Sequence, residues 1–348
     1  MFNLDRYTVS VNHPPLIVAE MSGNHNQSLD RALSLVDAAA KAGANAIKIQ
    51  TYTAESLTLD VKEGEFLIDP TVELWGGKSL YDLYTEGSTP RNWHEQIMSR
   101  AKSHGMFCFS TPFDLDAVDF LEELGSPAYK IASFENTHLP LIRKAASTGK
   151  PMMISTGMAS KDEVHEAVTA AREAGCSSLM LLKCTSSYPA SPDSANVLSI
   201  PDMRRSFGCE VGLSDHTKGI GVAVAAVSHG ATLVEKHFTL SRADGGVDSA
   251  FSIEPEEMKS LVIETERAWK SLGNIQYGPT EEEEASLIYR RSLYIAEDME
   301  NGDVLTPRNL RIIRPGFGLA PKHQDALLGR RINRSVKKGT AMKWEFLD

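Results

Sequence analysis

The sequence predicts a (β/α)8 barrel, a closed ring of eight parallel strands alternating with helices, followed by a small second domain. Eight short apolar runs recur between residues 16 and 237, and most of them follow a glycine of the kind that ends a helix. The segments between the runs carry apolar residues at helical spacing, with charged residues at the other positions. Alternation repeated eight times is typical of a barrel rather than of an open sheet.

The eight apolar runs are short enough to be buried strands. In chain order they are Leu16–Met21, Ala46–Thr51, Met106–Thr111, Ala128–Ser133, Pro151–Thr156, Ser178–Cys184, Glu210–Ser214 and Thr232–His237. Leu29–Ala42 and Lys161–Ala174 are examples of the predicted intervening helices, and each is followed by a glycine. An open dinucleotide-binding sheet would need a glycine-rich loop after the first strand, and residues 21–26 (MSGNHN) do not provide one.

One connection is much longer than a turn. Residues 52–90 follow the second predicted strand and contain several glycines and aromatic residues, among them Trp75, Tyr81 and Tyr84. Connections of this length in a compact domain are usually functional. We therefore expect this segment to cover a substrate site.

The pattern changes near residue 280. A Tyr-Gly-Pro-Thr sequence at 277–280 and four glutamates at 281–284 precede short strand-like runs at Ser292–Ile295 and Leu310–Ile313. This part of the chain has little helical periodicity and many turn residues. We predict a barrel domain over residues 1–280, with a linker and a small domain poor in helix over residues 281–348.

Composition narrows the possible partners and compartments. The formal net charge of −10 disfavours general affinity for nucleic acid, and no run of 18 apolar residues predicts a membrane span. The first residues lack the basic and apolar stretches of a secretory signal. The four cysteines show neither CxxC spacing nor a disulfide framework, so we expect a cytoplasmic protein with free thiols.

Polar side chains stand at the carboxyl end of every predicted strand, and those ends share one face of a barrel. Two runs stop at a histidine, His216 and His237, 21 residues apart. The other members of this set are Glu20, Lys48, Gln50, Ser110, Thr111, Lys130, Ser133, Glu135, Ser155, Thr156, Lys183, Thr185, Ser186, Ser214, Asp215, Glu235 and Lys236.

These residue types suggest a chemistry. Lysines together with Ser and Thr hydroxyls favour a phosphate or carboxylate ligand. Two histidines on neighbouring strands provide half of a metal site, with water or substrate oxygens as the other ligands. Glu20 is a carboxylate placed to bind a ligand or to move a proton. The set therefore predicts a phosphorylated carbon nucleophile that adds to a carbonyl compound.

Several phrases of the chain resemble the sialic acid synthase family, in the right order and over the whole length. They are AEMSGNHN at 19–26, IKIQTYT at 47–53, STPF at 110–113, YKIASFE at 129–135, STGM at 155–158, GLSDH at 212–216 and EKHF at 235–238. The resemblance implies a (β/α)8 barrel with a C-terminal antifreeze-like (SAF) domain, in a domain-swapped homodimer. It implies condensation of phosphoenolpyruvate (PEP) and water with an amino sugar, releasing phosphate and a nine-carbon 2-keto acid.

The resemblance also assigns residues to roles. It implies PEP contacts at Lys48, Thr111, Lys130, Ser155 and Ser214, and metal ligands at His216 and His237. The sugar or intermediate would contact Gln50, Glu135, Tyr188, Glu235 and Asp248, together with Arg314 from the small domain of the partner. We expect Glu20 to activate or orient the attacking water. Mn²⁺ is the expected metal, with Mg²⁺ or Co²⁺ as alternatives.

Two departures from the family concern the sugar. Ser186-Ser187 and Gly76-Gly77-Lys78 stand where sialic acid synthases carry asparagines that contact the sugar. Residues 83–94, 183–189 and 248–252 instead resemble a branch whose substrate is 2,4-diacetamido-2,4,6-trideoxy-L-altropyranose in its open-chain form. A more apolar, aromatic pocket would suit such a 6-deoxy sugar. The synthases of N-acetylneuraminate and of legionaminic acid remain alternatives.

Other classes of protein remain open from the residues alone. A Schiff-base aldolase could use Lys130 or Lys183 as its nucleophile, but it would leave the two histidines without a role. A neighbouring PEP-dependent synthase that makes sugar-acid phosphates would lack the small second domain. A non-catalytic carbohydrate-binding protein would not need the charged groups at the strand ends.

Overall fold

The computed structural model describes residues 2–72 and 74–347 of the 348-residue chain. The chain divides into two compact units between Gly273 and Asn274. Residue 280, the boundary predicted from the sequence, follows shortly after this division. Each unit has its own apolar core, and the predicted functional residues other than Arg314 belong to the first unit.

The first unit contains a closed barrel of eight parallel strands, as predicted. A short antiparallel hairpin, β1 (Phe2–Leu4) and β2 (Tyr7–Val9), precedes it. Each barrel strand pairs with its neighbours in chain order, and the last strand pairs with the first. The observed bounds lie within two residues of the predicted ones. The strands are β3 (Leu16–Glu20), β4 (Ala46–Thr51), β5 (Phe107–Pro112), β6 (Tyr129–Ile131), β7 (Met152–Ser155), β8 (Leu179–Cys184), β9 (Glu210–Asp215) and β10 (Leu233–His237).

Helices connect the strands and pack around the barrel. None of the helices in residues 2–72 and 74–347 is long and apolar enough to span a membrane. The α-helices of the first unit are α1 (Leu29–Ala42), α2 (Ala54–Leu57), α3 (Leu80–Gly87), α4 (His94–Ser103), α5 (Leu115–Glu123), α6 (Leu139–Ala146), α7 (Lys161–Glu173), α8 (Ser199–Phe207), α9 (Gly221–Ser228) and α10 (Pro255–Leu272).

Helix α1 shows how local sequence sets these elements. The Ser28 side chain accepts a hydrogen bond from the backbone N–H of Arg31, which caps the first turn. The helix ends at Gly43, whose φ of 93° is left-handed backbone that glycine adopts without strain. The residues buried against the barrel recur at helical spacing, and they are Ala32, Leu35, Val36, Ala39 and Ala42.

The strand residues divide into two apolar clusters because successive side chains point to opposite faces. One cluster joins outward-facing strand residues such as Ile17 and Ile47 to the helices. The other fills the barrel near the amino ends of the strands, where the hairpin residues Phe2, Leu4 and Val9 pack with inward-facing side chains. Since this end of the barrel is filled with apolar groups, polar chemistry is confined to the carboxyl ends.

The second unit is small and contains little helix. Strands β11 (Ser292–Ile295) and β12 (Leu310–Ile313) pair antiparallel, and both have the predicted bounds. Two one-turn helices, α11 (Glu281–Glu284) and α12 (Gln324–Leu327), are its only α-helices among the described residues. Its core consists of buried aliphatic and aromatic side chains from the strands and the turns, including Leu293, Ile295, Leu310, Leu327 and Ile332.

Candidate active site at the carboxyl ends of the barrel strands

Two buried lysines and two buried glutamates meet inside the barrel. Glu20, Lys48, Lys130 and Glu235, here called the charge quartet, follow apolar inward-facing residues on β3, β4, β6 and β10. Lys48 Nζ lies 2.6 Å from Glu20 Oε2 and 3.8 Å from Glu235 Oε1, and Lys130 Nζ lies 3.3 Å from the same Glu235 oxygen. Alternation along each strand therefore places opposite charges next to each other in the barrel.

Neutral side chains add hydrogen bonds to the quartet. Lys48 Nζ donates to Thr111 Oγ1 at 3.1 Å, and the Ser214 hydroxyl donates to Glu235 Oε1 at 3.1 Å. Gln50 Nε2 donates to Glu20 Oε1 at 2.9 Å. Buried charges that are paired and hydrogen-bonded in this way avoid most of the desolvation penalty that an isolated charge would suffer.

The two glutamates differ in their electrostatic environment. Burial raises the pKa of Glu20 above its ordinary value, although Lys48 works in the opposite direction. Burial acts on Glu235 as well, but Lys130, Lys48 and the Ser214 hydroxyl together bring its pKa below the ordinary value. Glu20 is therefore the easier of the two to protonate, as an acid or base that takes part in proton transfer must be.

The two histidines that end their strands meet at the mouth of the barrel. The ring centroids of His216 and His237 lie 5.3 Å apart. His216 Nδ1 lies 2.9 Å from the Thr185 carbonyl oxygen, which only accepts, so this nitrogen carries the proton and Nε2 keeps a lone pair. Despite burial, Cys184 and the Thr185 carbonyl raise the pKa of His216, so a metal would compete with a proton for Nε2.

His237 has a nitrogen that lacks a hydrogen-bond partner. Its Nδ1 is buried and lies 3.8 Å from Asp248 Oδ2, too far for a hydrogen bond. Burial is the main cause that holds the pKa of His237 well below its usual value, and the nearby His216 and lysines act in the same direction. The ring is therefore neutral. A neutral imidazole with a free nitrogen, next to a second imidazole, fits a divalent metal. Within the described residues no cluster of three or more His, Cys, Asp or Glu side chains would hold a metal without further ligands.

A second buried ion pair fixes the strand ends that carry the histidines. Lys236 Nζ lies 2.7 Å from Asp215 Oδ2 and donates to the Thr217 carbonyl at 2.6 Å. Asp215 and Lys236 are register partners on β9 and β10, and each immediately precedes one of the two histidines. This pair therefore ties together the backbone positions that set the separation of the imidazoles.

A cavity of about 560 Å³ lies above the quartet and the histidines. The long segment 52–90 covers it, as predicted, and includes α2 and α3. Trp75 Nε1 donates to the Val247 carbonyl at 2.7 Å, and the Trp75 ring lies 6.0 Å from the Tyr188 ring. The cover also brings aliphatic and aromatic side chains to the cavity, namely Tyr52, Leu57, Ile68, Val72, Leu80, Leu83 and Tyr84.

The structure brings most of the predicted site residues to this cavity. Those that line it are Lys48, Gln50, Thr111, Lys130, Glu135, Tyr188, His216, Glu235, His237 and Asp248. Glu20 and Ser214 are buried behind the lining, where they contact Lys48 and Glu235, and Ser155 is also fully buried. Arg314 belongs to the second unit. The role of each residue stays a prediction.

Sequence reasoning missed several residues that line the cavity. Ser22, Cys184 and Val247 are lining residues outside the predicted set, whereas Tyr52 and Trp75 belong to segment 52–90, the predicted cover. Ser22 lies in the phrase AEMSGNHN, which carried the family resemblance, so its position was a usable signal. Val247 had no such signal, since its place depends on the path of a long loop.

Several buried polar atoms in this region have no hydrogen-bond partner. Besides Glu20 Oε2, whose contact is the ion pair with Lys48, and Asn24 Oδ1, they are Glu135 Oε2, Ser155 Oγ, Glu235 Oε2 and His237 Nδ1. Buried polar groups in folded proteins nearly always have partners. Unpaired acceptors of this kind fit a ligand that brings hydroxyl or amide donors and a metal.

Comparison with known proteins gives consistent matches. The NeuB family model matches residues 35–277, and the SAF domain model matches residues 290–348. A pseudaminic acid synthase of Campylobacter jejuni is 40% identical over 94% of this chain and 95% of its own length. An N,N'-diacetyllegionaminic acid synthase of Legionella pneumophila is 35% identical over 95% of this chain and 94% of its own.

A solved structure has the same architecture. The crystal structure of N-acetylneuraminic acid synthetase from Leptospira borgpetersenii, in complex with citrate, matches with a TM-score of 0.73 and 33% sequence identity. The match covers 83% of this chain and 95% of that one. Both the fold and the sequence therefore relate this chain to one group of proteins.

Glu135 gives a test of the cavity's electrostatics. Burial raises its pKa to about 7, against the opposing effect of Lys130. A carboxyl group whose pKa is raised in the folded state contributes stability below its unfolded pKa, and this contribution is lost as the pH rises through the folded value. We predict that the free energy of unfolding of Glu135→Gln increases relative to that of the wild type as the pH rises from roughly 4 to 8, by at most about 3 kcal/mol in total.

The measurement is the free energy of unfolding by urea at several pH values. Glu95→Gln, which removes an exposed carboxylate, is the matched control and should show no such trend. A difference between Glu135→Gln and the wild type that stays constant with pH would contradict the assignment of a raised pKa to Glu135.

Proposed function

This chain belongs to the NeuB family, and we propose that it joins PEP to an open-chain diacetamido-trideoxy hexose as a pseudaminic acid synthase does. The products would be phosphate and a nonulosonic acid, a nine-carbon 2-keto acid. The observation that carries the proposal is a single cavity in which buried lysines adjoin two histidines under an apolar cover. An anion site, a metal site and an apolar pocket are the three parts that this reaction requires.

PEP would bind over the charge quartet. Lys48 and Lys130 each carry three N–H donors, and Thr111 and Ser214 already contact members of the quartet. Burial works to lower the pKa of Lys130, but Glu235 keeps it above its ordinary value, so this ammonium group is charged. The Nζ groups of Lys48 and Lys130, which are almost fully buried, would bind the phosphate and carboxylate of PEP strongly.

The aldehyde of the sugar would bind next to the histidines. We propose that His216 and His237 hold a divalent cation, with Mn²⁺ as the metal that best suits two imidazoles and several oxygen ligands. When bound, such a cation supplies Lewis-acid polarisation of the aldehyde oxygen. The protein holds the aldehyde carbon against C3 of PEP, and alignment of this kind lowers the barrier by several kcal/mol.

The remaining step is the addition of water. As C3 of PEP bonds to the aldehyde carbon, the π bond of the aldehyde breaks and its oxygen takes up a proton, while C2 becomes cationic. Water then adds to C2, and the tetrahedral intermediate loses phosphate by C–O cleavage, which leaves the 2-keto group. Glu20 is buried next to Lys48 and has a raised pKa. A carboxylate with these properties is suited to remove the proton from this water.

The apolar cover favours a sugar with methyl groups. Leu57, Ile68, Val72, Leu80 and Leu83 all line the cavity. A 6-deoxy sugar with two acetamido groups presents three methyl groups to such a surface, whereas N-acetylmannosamine presents one and carries a hydroxyl at C6. The relative that makes diacetyllegionaminic acid keeps a second candidate open, namely a 6-deoxy sugar of different stereochemistry.

Assembly and compartment belong to the same proposal. We propose a cytoplasmic, domain-swapped homodimer in which Arg314 of one subunit acts in the active site of the other. The support is the resemblance to sialic acid synthases, together with the match of the SAF domain to residues 290–348.

The sugar specificity is tested by phosphate release from PEP with a panel of aldoses. The panel contains N-acetylmannosamine, its 2,4-diacetamido-6-deoxy analogue and the L-altro isomer of that analogue. We predict that the L-altro compound has the highest kcat/KM, by roughly tenfold or more. Preference for the other 6-deoxy sugar would favour the second candidate, and no phosphate release with any aldose would refute the proposed reaction.

The metal role is tested without relying on activity. We predict that His237→Ala weakens the binding of Mn²⁺ by more than tenfold, which is roughly the smallest loss that removal of an outer-shell partner produces. The binding is measured from the free-ion signal in electron paramagnetic resonance. His229→Ala, which removes an exposed histidine, should bind Mn²⁺ as the wild type does. Equal binding by the wild type and His237→Ala would show that this histidine is not a ligand.

A further inference from the structure

Ser22 has an unfavourable backbone conformation at the edge of the cavity. It follows β3, lines the cavity and is 2% exposed, and its φ is 45°. Left-handed backbone is unfavourable for a residue with a Cβ atom, and glycine would adopt it without that penalty. Strained residues that persist in functional sites commonly serve the site itself. The feature of Ser22 that glycine lacks is its hydroxyl group.

The hydroxyl connects two groups that differ in hydrogen-bonding character. It donates to Asp248 Oδ2 and accepts from Gln50 Nε2 at 3.1 Å. Gln50 Nε2 also donates to Glu20 Oε1. An amide nitrogen only donates and an ionised carboxylate only accepts, whereas a hydroxyl does both. The bonds therefore run in one direction, from the Gln50 amide through Ser22 to the Asp248 carboxylate.

Asp248 belongs to a segment with little regular structure. Between β10 and α10 the described residues form two short 3-10 helices, Arg242–Asp244 and Ser249–Phe251. Backbone hydrogen bonds between Ile253 and residues 237 and 239 hold the ends of this segment, and the Asp248 carboxylate itself is held by the Gly23 backbone and by side-chain contacts. Ser22, at the end of a barrel strand, provides one such contact, and it holds Asp248 Oδ2 3.8 Å from His237 Nδ1.

We propose that Ser22 is a positioning residue, which orients the Asp248 carboxylate and the Gln50 amide to bind the amino sugar. The inference rests on the proposed function. A carboxylate accepts hydrogen bonds from sugar hydroxyl and amide groups. In the quartet the lysines offset the charges of Glu20 and Glu235, whereas Asp248 lies next to the neutral His237 and would repel the phosphate and carboxylate of PEP. Asp248 and Gln50 therefore serve the sugar, while the lysines of the quartet serve PEP.

A purely structural role would be to tie the 238–254 segment to the barrel, and two substitutions separate the alternatives. Ser22→Gly removes the hydroxyl and relieves the left-handed strain, whereas Ser22→Ala removes the hydroxyl and keeps the strain. The glycine variant should therefore have the higher Tm of the two. If the hydroxyl orients Asp248 and Gln50, both variants should lose sugar binding to the same extent, although their Tm values differ.

The measurement is steady-state phosphate release, with the KM of each substrate determined separately. We predict that both variants raise the KM of the preferred aldose roughly 10- to 100-fold, the range expected for a lost hydrogen bond to a charged group. The KM of PEP should remain that of the wild type. Ser252→Ala is the matched control, because the Ser252 hydroxyl donates to the Asp248 backbone carbonyl at 2.7 Å and accepts from Asn24 Nδ2 at 2.8 Å, and neither bond involves the carboxylate.

Three outcomes would overturn the proposal. An unchanged sugar KM in both Ser22 variants would show that the hydroxyl has no positioning role. A rise in the sugar KM with Ser252→Ala equal to that with Ser22→Gly would mean that any contact of the segment suffices. A loss of function in Ser22→Ala alone would show that the hydroxyl serves to keep the backbone in its left-handed conformation, which glycine adopts without it, and not to orient Asp248 and Gln50. Wild-type protein that releases no phosphate from PEP would instead refute the proposed function, which distinguishes the two failures.

Discussion

The buried pairing of Lys48 and Lys130 with Glu20 and Glu235 is the constraint on which the rest of the site depends. The barrel below is filled by apolar side chains, including those of the amino-terminal hairpin, so unpaired ammonium groups could not be held there. The carboxylates make two buried cations tolerable, and the hydroxyls of Thr111 and Ser214 add hydrogen bonds to Lys48 and Glu235. An anionic ligand finds these charges already fixed, and binding does not have to order them.

Around this fixed centre the site has parts of different rigidity. The histidines stand on strand ends that the Lys236–Asp215 pair holds together, so their separation is set by the barrel. The 238–254 segment is bonded through its backbone near both ends, whereas its middle and the cover are joined by contacts such as the Trp75 bond to the Val247 carbonyl. Chemistry common to the family would therefore be located in the barrel, and choice of sugar in the loops.

Much of the fold follows from the sequence, because buried strands are short apolar runs and because glycines mark the helix ends. The residues at the strand ends were also predictable, since all parallel strands of a barrel open on one face. The depth at which each side chain is buried, and the face of the strand to which it points, could not be predicted in this way. Lys236 and Asp215 were grouped with the site, but they pair with each other, as alternation along the strand allows. Ser22 contacts Asp248, which is more than two hundred positions away in the sequence, and Val247 contacts Trp75 on a distant loop. Local sequence patterns do not encode such contacts.

The central claim is that the paired lysines form the PEP site, and calorimetric titration of PEP into the protein in the absence of sugar tests it most directly. Lys130→Met is the informative variant, because Glu235 keeps Lys48 and Ser214 as partners. The account predicts roughly 10- to 100-fold weaker PEP binding by this variant. Lys183→Met, which removes a lysine bonded to the Cys184 carbonyl, should bind PEP as the wild type does. Unchanged PEP affinity in a folded Lys130→Met variant would contradict the account.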